Sequence, residues 1–125
     1  MIKQFEIDGI HMDVGEDLRK YVHKKIGGLE KYIPKSARKS AHVEVKLKEG
    51  KIKTRVERTC EVLVHLPHEA LTVSETTINM FAAVDIAEEK LKHLLHKYKE
   101  THGDPKWRRR LLTRIRNRTP GSEES

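Results

Sequence analysis

Cysteine occurs once in this 125-residue chain, at Cys60, so no disulfide can form within it. A lone thiol in a strand-like pattern reads as a small buried apolar group, and its solitude fits a reducing cytosol. Aromatic residues make up 5% of the chain, which argues against a surface built mainly on base stacking. No stretch approaches the roughly 18 apolar residues of a membrane span. The opening MIKQFEIDG lacks an apolar run behind a basic one, so no secretory signal is expected. No internal repeat is present. Nucleophile elbow, glycine-rich phosphate loop and acid–base pair are all missing, so nothing supports an enzyme. Of eight histidines, His93 and His96 stand three apart, and His65 and His68 flank a turn. With no second cysteine, no HExxH and no carboxylate at the customary spacing, these pairs read as wet-face groups. No metal or other cofactor is expected from them.

Positive charge is what the chain has in plenty. It holds 26 Lys+Arg against 19 Asp+Glu, a net +7, with a pI of about 9.6. A polyanion is therefore the first partner to consider. The excess is uneven: residues 103–125 carry 7 basic against 3 acidic groups, a larger surplus than that of the whole of residues 1–102, with 19 against 16. The length suits one domain over residues 1–102, followed by a basic tail over residues 103–125. The tail opens on Gly103-Asp104-Pro105, runs through Trp107, Leu111, Leu112 and Ile115 among arginines, and ends in a polar stretch expected to be disordered. A basic amphipathic segment of this kind suits RNA or an anionic membrane; its shortness and acidic end favour RNA.

Hydrophobic spacing predicts the elements. Residues 2–7 form a strand, with a turn at Asp8-Gly9. From Gly15 a helix runs to about Tyr32, with a stripe of Leu18, Val22, Ile26, Leu29 and Ile33. Gly27-Gly28 interrupts it, implying a bend or a close approach, and Pro34 stops it. Residues 41–48 alternate as a strand, Glu49-Gly50-Lys51 turns, and residues 52–66 make a long strand. Pro67-His68 turns again before a short strand over residues 70–75. The last helix covers residues 79–100. Asn79 is its N-cap, and Met80, Val84, Ala87, Leu91, Leu94, Leu95 and Tyr98 form its stripe.

The order β-α-β-β-β-α predicts an α+β fold: a four-stranded sheet with its first two strands parallel and two hairpins after them. One-sided apolar strands require both helices on one face. That arrangement lets Lys24, Lys25, Lys31, Lys90, Lys97 and Lys99 join in one positive field.

The runs DVGEDLRKYVHKKIGGLEKY, CEVLVHLP and NMFAAVDIAEEKLKHLLHKYK resemble the ribosome hibernation-promoting factor family, also called ribosome-associated translation inhibitors. Asn79 stands at the family's cap position. Phe81-Ala82-Ala83-Val84-Asp85 matches its aromatic, small, aliphatic, acidic run, and Lys90-Leu91 follows. In the first helix Arg19, Lys25 and Leu29-Glu30-Lys31 fall on the pattern. The sequence departs from it at Asn79 in place of Asp, at Lys92-His93-Leu94 and at Gly27-Gly28.

The resemblance implies a domain like a double-stranded-RNA-binding fold. It also implies a cytoplasmic bacterial protein, a monomer of the short form, with no membrane or small-molecule partner. Such a protein would bind the small ribosomal subunit and its ribosomal RNA in the messenger and transfer RNA channel. There it would stop translation and preserve idle ribosomes. On that reading the RNA-contacting residues are Arg19, Lys24, Lys25, Lys31, Lys90, Lys92, Lys97 and Lys99, with Arg108, Arg109 and Arg110 of the tail. Two other classes stay open: a generic RNA-binding module or RNA chaperone acting on free duplex, and a protein adaptor using the open sheet face.

Overall fold

The computed structural model describes residues 4–102. Strand β1 spans Gln4–Ile10, helix α1 Glu16–Gly27, a 3-10 turn Gly28–Tyr32, short helix α2 Lys35–Arg38, β2 His42–Ile52, β3 Arg55–Leu66, β4 Glu69–Thr77 and helix α3 Met80–His102. The sheet order is β1-β2-β3-β4. β1 runs parallel to β2, and the other two pairings are antiparallel.

One face of the sheet is apolar because the strands alternate. Ile7, Val43, Val45, Leu47, Cys60, Val62, Val64, Leu66, Leu71 and Val73 are all buried. They share a single core with Leu18, Val22, Ile26, Leu29 and Ile33 from the first helical segment, and with Met80, Ala83, Val84, Ala87, Leu91, Leu95 and Tyr98 from α3. Both helical stripes thus cover the same side, as the one-sided strands require. On α3 the stripe is shifted slightly from its expected composition, with Ala83 fully buried and Leu94 only half-buried. Asn79 caps α3: its Oδ1 accepts from the amide of Phe81 at 2.8 Å and that of Ala82 at 3.4 Å.

Several boundaries differ from the sequence reading, each for a physical reason. β1 continues through Asp8 and Gly9 to Ile10, and the chain turns at His11, whose φ is 61°. Gly9 is needed for clearance, since a Cβ there would lie 2.4 Å from the Met12 carbonyl oxygen and 3.0 Å from Val14 Cγ2. Gly9→Ala is expected to cost about 1–3 kcal/mol, as overpacking usually does; urea unfolding will show it as a lower midpoint with an unchanged slope.

The expected turn at Glu49-Gly50-Lys51 is strand. The pairing runs on through Glu49↔Arg58 to Ile52↔Arg55, and the reversal falls at Lys53-Thr54. Lys53 takes the left-handed conformation, φ 58°, which glycine was expected to supply. An ion pair of 3.0 Å between Arg58 and Glu49 ties the added length together. Pro67-His68 turns as expected, with φ 81° at His68. β4 is longer than expected at both ends.

Gly27 and Gly28 both keep right-handed helical dihedrals, and neither has a neighbour in close approach. The chain tightens into the 3-10 turn there, and a Cβ at Gly28 would meet nothing within 4 Å. The short helix α2 after Pro34 was not expected.

Cys60 is fully buried, and burial, with a smaller contribution from the Glu75 charge, pushes its thiol up to about 12. Only the thiolate reacts with disulfide reagents. Such a reagent is therefore expected to label Cys60 no faster than the sheet opens, with rapid labelling once denaturant unfolds the chain.

Candidate nucleic-acid interface

The two helical segments run in the same direction, as successive contacts between them establish. Tyr21 of α1 meets Phe81 of α3 edge-on, with ring centroids 5.1 Å apart. Lys25 then reaches Asp85 at 3.6 Å and Glu88 at 3.3 Å. Tyr32, at the end of the 3-10 turn, meets His96 at 5.4 Å between ring centroids. The end of the first helical segment therefore lies beside the last two turns of α3, and cations near a helix C-terminus suit its dipole.

Electrostatically the two ends differ. At the front, Asp85 and Glu88 neutralise Lys25. Tyr21 donates its hydroxyl to Asp85 Oδ1 at 2.5 Å, a bond that holds its pKa above the usual phenol value. The Lys25 ammonium is held above its ordinary pKa chiefly by its hydrogen bond to Glu88. Lys90 is likewise engaged, pairing with Glu75 of β4.

At the rear, the Tyr32 ring has Lys31 Nζ at 5.3 Å and Lys92 Nζ at 5.6 Å from its centroid. These are cation–π distances, and they gather the ammonium groups around one ring. Arg38 comes in from α2, its Nε donating to the Ile33 carbonyl at 2.9 Å. Burial, and secondarily the Arg38 charge, push the pKa of Lys99 down. Like charges therefore crowd at this end.

The eleven candidate residues fall into distinct groups. Arg19 and Lys24 are exposed on α1, and Lys97 is exposed on α3. Among the described residues, none of these three has an ion pair, nor do Lys31 and Lys92. Lys25 and Lys90 face water but are tied to carboxylates, so the expected single field of six lysines is split. Its net positive part is the rear, around Tyr32. Arg108, Arg109 and Arg110 lie outside the described residues. Sequence reasoning passed over Tyr32 and Arg38; the run Lys35-Ser36-Ala37-Arg38-Lys39 was the available signal.

Among the described residues, the opposite sheet face offers no such surplus. Lys48 pairs with Glu61 at 3.2 Å, and His65 with Glu44 at 2.9 Å. Cations there alternate with carboxylates across the strands. Among the described residues no helix is long and apolar enough to cross a membrane.

Comparisons with known proteins agree with this architecture. The family model for "Sigma 54 modulation protein / S30EA ribosomal protein" matches residues 5–102. The chain is similar to the ribosome hibernation promotion factor of Lactococcus lactis, 35% identical over 101 residues covering 79% of this chain and 50% of that protein. To the factor of the same name from Staphylococcus aureus it is 31% identical over 96 residues, 77% of this chain and 48% of that protein. The chain thus spans about half the length of the curated relatives it matches.

In fold it resembles the N-terminal domain of Protein Y from Thermus thermophilus, with a TM-score of 0.63 at 22% identity over 74% of this chain and 94% of that one. It also resembles a ribosomal subunit interface protein from Coxiella burnetii, with a TM-score of 0.60 at 22% identity over 77% and 97%. With a family model covering almost every described residue, the chain belongs to the Sigma 54 modulation protein / S30EA ribosomal protein family.

Proposed function

We propose that this chain is a cytoplasmic ribosome-binding protein that acts on idle ribosomes. In this reading it enters the messenger and transfer RNA channel of the small subunit, blocks translation, and sets the rear of its helix pair against ribosomal RNA. It acts as a monomeric binding protein and not as an enzyme. Its two helices over one sheet face serve as a double-stranded-RNA-binding-like wedge. The observation that carries the proposal is the uncompensated positive charge of Lys31 and Lys92 around Tyr32, with Arg38 beside it. The names of the two similar proteins, both ribosome hibernation promotion factors, support the same direction.

The physics suits a phosphate lattice. Each lysine that docks on a phosphate releases condensed counterions, so affinity comes with steep salt dependence and no sequence reading. If about six to ten side chains engage phosphates, affinity falls roughly 10³–10⁵-fold between 50 and 200 mM salt. Specificity then rests on shape.

Sucrose-gradient sedimentation with purified ribosomes tests the reading. The protein is expected to travel with intact ribosomes at low salt and to be displaced by transfer RNA. Migration with free duplex RNA in preference to ribosomes would instead mark a generic RNA-binding module.

A further inference from the structure

We propose that His42, Glu44 and His65 form a binding site for a divalent transition metal of the zinc class, on the sheet face turned away from the helices. The strand register builds this site. His42 and His65 are direct partners in the β2–β3 ladder, and Glu44 lies two residues along on the same face. The three side chains can each bring one ligand atom within 4.8 Å of the other two. His65 Nε2 is 2.9 Å from Glu44 Oε2. The imidazole rings of His42 and His65 stand 5.2 Å apart at an interplanar angle of 33°.

A second observation singles out His42. Its Nε2 is shielded from solvent, yet among the described residues it has no hydrogen-bond partner. The nearest acidic group, Glu6 Oε1 on β1, is 3.8 Å away, too far for a hydrogen bond. A ring nitrogen held dry and unsatisfied beside a second imidazole and a carboxylate is a donor waiting for an acceptor of its lone pair.

Two imidazole nitrogens and one carboxylate oxygen form a donor set that zinc accepts, at about 2.0–2.2 Å each and in tetrahedral array. Bringing the ligand atoms onto such a centre needs only rotation about side-chain bonds. The backbone positions are already set by two paired strands, which favours a precise site. The fourth position falls to water or to Glu6. With neutral imidazoles, the cluster's charge changes from −1 to +1 on binding, and β2 becomes cross-linked to β3 on its open side. This spacing is invisible in sequence, since residues 42 and 65 meet only through the register of a hairpin.

Zinc titration by calorimetry on the full chain, with histidine side-chain NMR in parallel, tests the proposal. The expected result is one saturable equivalent, with the imidazole resonances of His42 and His65 moving together and those of His93 unmoved. His42→Ala and His65→Ala should each weaken binding by at least about tenfold. His93→Ala and His68→Ala should leave it unchanged. Zinc should also raise the melting temperature of the native chain but not of the His42→Ala, His65→Ala double variant, which is expected to keep its circular dichroism spectrum because both side chains lie on the open face. The proposal is overturned if no saturation occurs up to about 1 mM zinc. It is equally overturned if the double variant binds as tightly as the native chain. In either case the three residues are only cross-strand polar partners.

Discussion

Replacing Lys31, Lys92 and Lys97 together with glutamate is expected to weaken ribosome binding by about 10²–10³-fold near 0.1 M salt. The magnitude follows from counterion release. Removing three phosphate contacts flattens the logarithmic salt dependence by about 2.7, at roughly 0.9 per contact, and a tenfold dilution from molar salt converts that slope into the stated factor. The fold should survive. Lys31 and Lys97 are exposed, Lys92 is only half-buried, and none of the three has an ion pair among the described residues. Binding measured across a salt series, with circular dichroism on the same variant, checks both halves.

Lys25→Glu provides the contrast. It removes the partner of Asp85 and Glu88 and sets a third carboxylate beside them, at a place where Lys25 has no spare charge to offer a phosphate. Its effect on ribosome affinity should be much the smaller. An equal loss from Lys25→Glu would mean that the front of the helix pair touches RNA as well.

Val84→Asp is expected to abolish the folded state. Val84 is fully buried on the stripe of α3 that lies over the sheet. A carboxylate there has no partner, and whether it stays charged or takes up a proton it forfeits several kcal/mol. That is comparable with the 5–15 kcal/mol by which small domains are held together. The variant should show no cooperative thermal transition. Leu91→Ala is the milder control at an equally buried position, and a loss of about 2–5 kcal/mol is expected from the cavity it leaves. A native-like spectrum with a cooperative melt for Val84→Asp would refute the packing of α3.

Much of this architecture could be read from hydrophobic spacing alone. Alternation at Val43, Val45 and Leu47, and the three- and four-residue steps from Met80 to Tyr98, follow directly from burial on one side, and burial dominates the energetics. The order of elements, the parallel first pair and the shared helix face all follow from it. What misled was local chemistry at glycine. Gly50 and Gly9 read as turn residues, yet Gly50 lies exposed within a ladder and Gly9 makes room for a carbonyl, while a lysine takes the strained turn position. Backbone clearance is set by tertiary neighbours, which spacing does not reveal.

The candidate interface was legible as a list of lysines but not as an electrostatic surface. Whether a lysine is available depends on partners distant in sequence: Lys25 meets carboxylates on α3, and Lys90 meets Glu75 on β4. The ring that collects the remaining cations, Tyr32, draws Lys92 and His96 from another helix. The same limit hid His42 beside His65, since a register cannot be assigned when the strand ends are misplaced.

The account rests on the rear of the helix pair, around Tyr32, meeting ribosomal RNA. Because Cys60 is buried, a cysteine introduced at Lys97 or at Thr72 can be labelled selectively with a short photo-crosslinker and the protein then bound to ribosomes. The account predicts cross-links from position 97 to small-subunit RNA and few from position 72 on the open sheet face; cross-links from position 72 with none from 97 would contradict it.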